Sequence, residues 1–340
     1  MNKPIIDLEK APVAKHVDCY GGNAGAKASV IIDDNVWMVK YPKSTKDYDK
    51  PQRSYTTSPL SEYIGSKIYE ILGMPVHEVL LGIRKNKVVV ACKNFTQAVE
   101  STFITKEFAS KYKIDESKVE TSVPIVFTNK KLIHFHCIKN HFMSSDLEKY
   151  SGRGSETLLH EILDTIQDDE NLKAIDGVLE RFWDMFVVDA FIGNNDRNNK
   201  NWGFLLDSND ILNNNSTMEL APVYDNGNAF FNKKSLKQME ERIADKDLLM
   251  QDAKGAPSVF KDSGDKGHRI HPFKFIKTGE NTDCTNAVHR FLNRIDMDQV
   301  ESLIGNIPES TGNLAVMPNI QKEFYLELLK LRLEQFKLSV

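Results

Sequence analysis

Two polar side chains in the loop from Gly193 to Trp202 have the types and the spacing for proton handling and metal binding. Asp196 is followed five positions later by Asn201. A carboxylate can accept or orient the proton of an attacking hydroxyl, and an amide oxygen can bind a magnesium ion beside phosphates. A short turn aims both groups into one cleft, which favours phosphoryl transfer. An ordinary Asn-rich surface loop has the same composition and is the alternative.

A second carboxylate, Asp225, favours a site for phosphoryl transfer over an ordinary surface loop. Asp225 follows the apolar stretch Leu220 to Tyr224 and precedes Asn226-Gly227. A strand-end carboxylate before a flexible glycine matches the metal motif D-x-G of kinases, as Asp196 and Asn201 match their catalytic D-x4-N. The alternative is a plain turn, since Asn-Gly is a turn signal. We expect Asp196 to orient a hydroxyl, Asn201 and Asp225 to bind Mg²⁺, and Lys200 to add positive charge beside phosphates.

The N-terminal part offers a phosphate-binding set. Its small residues allow backbone N–H groups to approach phosphates, and they match neither GxGxxG nor GxxxxGK[ST], which disfavours Rossmann and P-loop proteins. Lys40 ends the next predicted strand and would pair with the α- and β-phosphates, held by Glu62 of the following helix. Taken alone, these two residues read as exposed charges. The expected nucleotide-binding loop consists of Gly21, Gly22, Asn23, Ala24, Gly25, Ala26 and Lys27.

Local patterns predict the elements that position these groups. The β-branched runs around Asp33-Asp34-Asn35 and Arg84-Lys85-Asn86 predict two hairpins. A helix is expected to start with Ser58 as N-cap and Pro59 at its first position, and to end at Gly73. The backbone of Ala91, Cys92 and Lys93, within a hinge from Ala91 to Phe95, is expected to hydrogen-bond adenine. These elements place a lobe boundary near residues 93–100, with lobes at 1–95 and 96–340.

The remainder of the chain is predicted to be mainly helical. The segment 250–268 reads as a mobile loop with Ser258 and Ser263 as candidate phosphate acceptors. His134 and His136 fall in a predicted strand, Leu132 to His136, and lack a suitably spaced third ligand, so we assign them no metal. The other predicted elements are helices at 158–166, 178–192 and 319–338 and strands at 202–206 and 220–224.

Composition excludes several classes of protein. The chain is 41% hydrophobic and 27% charged, with a formal net charge of −4, so we expect no attraction to nucleic acid or to anionic membrane. The four cysteines are scattered and form no CxxC pair, which argues against both a disulfide framework and a zinc site. No apolar run or signal sequence indicates a membrane span or classical secretion. We expect a cytoplasmic protein, while non-classical release would leave no readable trace.

At these residues the chain resembles the HipA-type serine/threonine kinases, distant relatives of protein and phosphoinositide kinases. The resembling segments are Val39–Pro42, Ser61–Tyr63, Leu72–Val76, Asn195-Asp196, Lys200-Asn201 and Tyr224-Asp225. The resemblance implies an α+β, two-lobed protein-kinase-like fold, with a small β-rich lobe over a larger helical lobe and ATP between them. It also implies a protein substrate, ATP and Mg²⁺ as cofactors, autophosphorylation, and Tyr224 beside the nucleotide.

Three departures from the family pattern qualify the resemblance. Asn198 stands where members usually carry His, and Cys19 and Tyr20 stand where a regulatory serine precedes the glycine loop. The chain also starts close to that loop, so we infer no antitoxin partner. Two alternatives stay open: a small-molecule kinase built on the same apparatus, and a nucleotide-binding pseudokinase that acts as an interaction module.

Overall fold

The computed structural model describes most of the chain. The described residues are 5–14, 26–46, 54–103, 106, 110, 111, 113, 122–146, 153–207, 218–255, 257–263 and 267–340.

A five-stranded sheet forms the N-terminal part. Its order is β1-β4-β5-β3-β2, antiparallel except for the parallel pair β1 and β4. Asp33 and Asp34 have φ of 45° and 55°, and Lys85 and Asn86 both have 52°, the left-handed conformation that tight hairpin turns require. Both predicted hairpins are therefore confirmed. The strands are β1 Ile6–Asp7, β2 Lys27–Ile32, β3 Asn35–Lys40, β4 Val79–Arg84 and β5 Lys87–Lys93.

Helix α1, Ser58–Ile71, packs its buried face on this sheet. Gly73, which follows the C-cap Leu72, has a φ of 71° and turns the chain away from the helix. The predicted N-cap is wrong, because Thr57 takes that position and Ser58 is the first helical residue. The Ser58 hydroxyl instead lies 2.9 Å from Thr56 Oγ1. Pro59 suits either position near the helix start, so its presence does not fix the cap to one residue.

Two further sheets follow the N-terminal one. The hairpin β6–β7 leads into a three-stranded sheet of order β10-β9-β8. The predicted strand Leu132 to His136 ends at His134, and a helix begins at Phe135. The predicted strand Leu220 to Tyr224 is displaced, although Val223 still forms a parallel bridge to Val76. These strands are β6 Gln97–Phe103, β7 Ser122–Thr128, β8 Lys130–His134, β9 Gly203–Asp207 and β10 Met218–Leu220.

Helices dominate the C-terminal part around α5, whose aromatic residues are buried; Trp183 stacks on Phe275, and Phe182 contacts Phe260 edge to face. Its apolar character on nearly every face matches this central position. The helices are α2 Phe135–Met143, α3 Leu159–Asp168, α4 Glu170–Lys173, α5 Val178–Ile192, α6 Leu236–Ala244, α7 Lys246–Ala253, α8 Pro272–Thr278, α9 Thr282–Arg294, α10 Met297–Gly305 and α11 Asn319–Lys337. A short hairpin, β11 Ser310–Thr311 and β12 Leu314–Ala315, precedes the last helix.

The segment predicted as a mobile loop is largely structured where it is described. Helix α7 covers its start, and Lys261 forms bridges to Leu158 and Arg269. Ser258 is buried, and its backbone N–H donates to the Ile270 carbonyl, whereas Ser263 is exposed. Of the described helices, none has the length and apolar character needed to cross a lipid bilayer.

Candidate active site

One lysine joins two carboxylates where the two parts of the molecule meet. Lys40, the last residue of β3, places Nζ 2.9 Å from Glu62 Oε2 and 3.0 Å from Asp225 Oδ1. Burial alone would lower the pKa of Lys40, but the carboxylates of Asp225 and Glu62 raise it well above its ordinary value. The ammonium group is therefore held charged between the two acids, as a phosphate-binding lysine requires.

Glu62 is buried on α1 and is also bound from its other side. His77 Nε2 and the backbone N–H of Asn226 each lie 3.1 Å from Oε1. Burial raises the pKa of Glu62, but Lys40 and His77 together hold it well below its usual range. Because every neighbour donates to it, Glu62 stays ionised and fixed in one position.

Asp225 is partly open, with a side chain 34% exposed, and its backbone is left-handed with φ of 62°. This conformation is costly for a residue other than glycine and persists where surrounding contacts impose it. The following residue supplies such contacts: Asn226 is buried and its amide donates to Ser66 Oγ at 3.0 Å. The left-handed turn directs the strand-end carboxylate at Lys40.

The buried Arg197 connects the predicted catalytic loop, Gly193 to Trp202, to the predicted metal motif at Asp225. Arg197 pairs with Asp189 of α5 through Nε at 2.8 Å, and a second guanidinium nitrogen donates to the Asn226 side chain. Its remaining nitrogen donates to the carbonyls of Asn201, at 2.9 Å, and Tyr224. Burial lowers the pKa of Arg197, but Asp189 and its neighbours raise it well above the ordinary value. One guanidinium thus brings the backbones of the predicted Mg²⁺ ligands together.

Asp196 is exposed at the head of the loop and is oriented by amides on both sides. Asn198 Nδ2 donates to Asp196 Oδ1 at 3.0 Å, and Asn201 Nδ2 donates to the Asp196 carbonyl at 2.6 Å. Desolvation by the surrounding protein raises the pKa of Asp196, while the bond from Asn198 lowers it. Asn198, the departure from the family pattern, thus contacts the expected base directly. Lys200 is exposed beside it.

The predicted metal ligands fit a magnesium ion chemically. Asn201 commits its amide nitrogen to the loop, which leaves its oxygen as the ligand atom, and Asp225 offers a partly open carboxylate. Both are hard oxygen donors, and Mg²⁺ usually binds one or two carboxylates together with phosphate oxygens.

The predicted phosphate-binding residues are only partly described. Gly21, Gly22, Asn23, Ala24 and Gly25 lie outside the described residues. Ala26 accepts a backbone hydrogen bond from Tyr41 at 3.0 Å, and Lys27 pairs in register with Lys40. Burial and the charge of Lys40 lower the pKa of Lys27. The side chains of Lys27 and Lys40 therefore lie at the same end of this hairpin.

The predicted hinge residues Ala91, Cys92 and Lys93 lie within β5, between β3 and β4. The ladders on both sides use their backbone groups; Lys93 N–H, for example, donates to the Glu78 carbonyl at 2.9 Å. Pairing on both sides commits the backbone groups of Ala91 and Cys92 to the ladders, which leaves Lys93 and the residues after it as the part of the predicted hinge nearest to free backbone groups. Asn94 still donates to Val36, so Phe95 is the first residue beyond these ladders.

Tyr224 connects the metal motif to β8 and the loop. Its hydroxyl lies 2.9 Å from His134 Nδ1 and 3.3 Å from the Lys200 carbonyl, and its ring is 5.8 Å from that of Phe95. Burial and the neighbouring His136 lower the pKa of His134, which favours the neutral ring. The His134 ring is therefore engaged by the Tyr224 hydroxyl.

Four buried polar residues of the site were not identified from the sequence: His77, Asp189, Arg197 and Asn226. Asp189 had a readable signal, since a carboxylate inside the apolar helix α5 needs a buried partner. Arg197 stood inside the catalytic motif, where its positive charge invites a phosphate-binding interpretation. His77 had no local signal, because its partners come from α1 and from the strand end at Val223.

Comparisons with known proteins identify the family and the fold of the chain. The family described as HipA-like C-terminal domain matches residues 19–261. The serine/threonine-protein kinase CtkA of Helicobacter pylori is 32% identical over 307 residues, which cover 90% of this chain and 78% of the relative. The crystal structure of a Helicobacter pylori proinflammatory kinase CtkA superposes with a TM-score of 0.75 at 28% identity, covering 99% of this chain and 98% of that one. This likeness confirms the predicted α+β, kinase-like fold.

Proposed function

The chain belongs to the HipA-like C-terminal domain family and is a kinase by this relationship, and from that premise we propose that it is a serine/threonine protein kinase dependent on ATP and Mg²⁺. The observation that carries the proposal is the position of Lys40 between the buried Glu62 and the partly open Asp225. Such a lysine is charged, immobile and next to a metal-binding carboxylate, as phosphoryl transfer requires.

The proposed division of labour follows the contacts. Glu62 holds Lys40 so that its ammonium group can contact the nonreacting phosphates. Asp225 and the Asn201 oxygen would hold Mg²⁺, which supplies positive charge to the phosphate oxygens. Asp196 accepts or orients the proton of the attacking hydroxyl, and its raised pKa brings it closer to the pH at which a general base works best. Lys200 adds positive charge at the edge of the loop.

We place the nucleotide between the two lobes, 1–95 and 96–340. Since the ladders occupy Ala91 and Cys92, we expect the adenine contact in the last part of the predicted hinge, from Lys93 to Phe95. Tyr224, whose ring lies near Phe95, would line the same wall. The glycine loop with Lys27 would cover the phosphates from above.

Autophosphorylation is proposed to occur at Ser263 rather than at Ser258. Ser258 is buried and its hydroxyl accepts a bond from the Phe260 N–H at 3.2 Å, so it is not presented to an active site. Ser263 is exposed beside Asp262. Phosphopeptide mapping that found phosphate only on Tyr20 or Ser29, next to the glycine loop, would contradict this assignment.

The central test is incubation of the pure protein with labelled ATP and Mg²⁺, followed by mass spectrometry to locate phosphate on serine or threonine. Asp196→Ala should retain ATP binding and lose about 10²–10⁴-fold in rate, because the group that orients the nucleophile is removed. Asp298→Ala, an exposed aspartate on α10, is the matched control. Activity of the Asp196 variant within about twofold of wild type would show that another group fills this role.

The metal assignment has its own test. Asp225→Asn keeps the size of the side chain and removes the charge that the cation needs, so Mg²⁺-dependent ATP binding should be lost. Calorimetric titration with ATP, with and without Mg²⁺, measures this directly. An unchanged affinity in a variant with a native circular dichroism spectrum would make Asp225 a purely structural partner of Lys40.

A further inference from the structure

Three side chains with different ligand chemistry meet behind Lys40. Glu62, His77 and Cys92 are all buried, and their carboxylate oxygen, imidazole nitrogen and thiol sulfur all lie within 4.8 Å of one another. Kinase chemistry as proposed above uses only Glu62 of these three. The convergence of oxygen, nitrogen and sulfur donors on one point is the feature that needs an explanation.

The three residues are held by separate, rigid elements. Glu62 projects from α1, and Cys92 lies in β5 between its partners Met38 and Val79. The His77 backbone N–H donates to the Val223 carbonyl at 3.0 Å, which anchors it beside the metal motif. The donor atoms are therefore brought together before any ligand arrives, as a preorganised site requires.

The donor set suits a thiophilic divalent cation such as Zn²⁺ or Cd²⁺ and not Mg²⁺. Zn²⁺ binds thiolate at about 2.3 Å and imidazole or carboxylate at about 2.0–2.2 Å, so neighbouring donors in a tetrahedral shell lie roughly 3.3–3.7 Å apart. Glu62 Oε1 and His77 Nε2 are already 3.1 Å apart. The sulfur of Cys92 lies within 4.8 Å of the other two ligand atoms and must move toward them to complete the set. Soft sulfur disfavours Mg²⁺, which prefers oxygen ligands.

The charges of such a complex balance. Ionised Glu62 and the thiolate of Cys92 together neutralise one dication, while His77 binds as the neutral imidazole. Burial raises the pKa of the Cys92 thiol, so the thiol is protonated in the metal-free protein. Binding must release one proton from the sulfur to solvent, as metal binding to a thiol does generally.

We propose that Glu62, His77 and Cys92 form an inhibitory site for a thiophilic divalent cation. The bound cation neutralises the charge of Glu62, so the ammonium group of Lys40 loses one of the two negative charges beside it. Lys40 then keeps only Asp225, 3.0 Å away, and is drawn toward the carboxylate that Mg²⁺ needs. The inhibitory consequence rests on the proposed kinase function, whereas metal binding itself does not.

Metal binding is measured first and without any assay of activity. Titration of the metal-free protein with Cd²⁺ should produce thiolate-to-metal absorption in the ultraviolet that saturates at one ion per chain. Cys92→Ala should lose this band, and Cys137→Ala, which removes an exposed free cysteine, should keep it. His77→Ala should weaken the affinity by roughly 100-fold or more, because one ligand of the set is gone.

Two controls distinguish loss of the metal site from loss of the fold. If Cys92→Ala does not fold, Cys92→Ser keeps the size of the side chain and still lacks the sulfur. Circular dichroism of each variant checks the fold. A band that survives in the folded Cys92 variants, or wild-type protein that gives none, overturns the proposed site.

Inhibition is then measured as the ratio of rates with and without Zn²⁺ at saturating Mg²⁺ and ATP, each variant against itself. Wild type and Cys137→Ala should be inhibited, and Cys92→Ala should resist. Equal inhibition of all three would place Zn²⁺ at the Mg²⁺ ligands and overturn the inhibitory role. A cysteine-dependent band in a protein without any kinase activity would leave the metal site standing and reject the proposed function.

Discussion

Among the residues that the structure describes, two lysine–glutamate pairs are buried, and their surroundings differ. Lys40 and Glu62 are 22 residues apart with a 2.9 Å contact, and Lys139 and Glu161 are also 22 residues apart with a 2.7 Å contact. The second pair joins α2 to α3 inside the helical part, with side chains only 0% and 2% exposed. The first pair borders the cleft and shares its lysine with Asp225.

The extra carboxylate changes the electrostatics. Burial lowers the pKa of Lys139 despite its bond to Glu161, whereas two carboxylates raise the pKa of Lys40. Lys139 also donates to the Arg153 carbonyl at 3.2 Å, so its contacts are made within the protein. We call Lys139–Glu161 the closed pair, because its contacts are made within the protein. We call Lys40–Glu62 the open pair, because its lysine also contacts Asp225, whose partly exposed carboxylate is available to a further cation.

The closed pair should carry the larger cost to stability. Lys139→Met leaves Glu161 buried without its cation, which should lower the free energy of unfolding by about 3–5 kcal/mol. Chemical denaturation measures this loss. The double variant Lys139→Met, Glu161→Leu is the control, since replacing both charges with apolar groups should restore most of the stability. If the Lys139→Met variant is as stable as wild type, the Lys139–Glu161 ion pair contributes nothing to the free energy of unfolding.

The open pair should carry the larger cost to activity. Lys40→Met should reduce the rate by roughly 10²–10³-fold, as expected when a preorganised charge at the phosphates is lost. Its effect on unfolding should be smaller than that of Lys139→Met, because His77 and the Asn226 N–H still bind Glu62. Steady-state kinetics and denaturation of both variants give the two numbers. The comparison fails if Lys139→Met, measured per folded molecule, loses as much activity as Lys40→Met.

A smaller effect concerns the other open carboxylate, Asp196. Asn198→Ala removes the hydrogen bond that stabilises ionised Asp196, so its pKa should rise further. A base acts in its ionised form, and the acid limb of the pH profile of kcat/KM should therefore move to higher pH. Asn293→Ala, an exposed change on α9, should leave the profile unchanged. A shift toward lower pH would show that Asp196 does not titrate in this limb.

The parts predicted well from the sequence depend on local signals. Both N-terminal hairpins follow from turn residues between β-branched runs, and α5 and α11 follow from long apolar patterns. The order of glycine loop, lysine, glutamate, Asp196 and Asp225 favoured a kinase, and the resemblance to the HipA-type kinases implied the kinase-like fold. The structure also brings Lys40, Glu62 and Asp225 together as that order suggested.

The parts that were missed depend on tertiary contacts. The spacing to the glutamate does not separate Lys40 from Lys139, since it is 22 residues in both pairs, and the contact of Lys40 with Asp225 is visible only in the structure. The predicted hinge included Ala91 and Cys92 because sheet pairing on both sides of β5 is not visible from one strand. Ser258 was expected in a mobile loop because its polar neighbours hide its backbone bond to Ile270.

The end of helix α5 depends on a residue far along the chain. Arg332 of α11 is buried, and it donates to the carbonyls of Phe191, at 3.0 Å, and Ala253, at 3.3 Å. Its guanidinium fills the space beside Gly193, where an added Cβ would lie 2.7 Å from it. During synthesis, which proceeds from the N-terminus, Gly193 and the loop after it leave the ribosome long before residue 332 is translated. The nascent chain therefore completes the support of the loop from Gly193 to Trp202 only after residue 332 has been translated, near the end of synthesis.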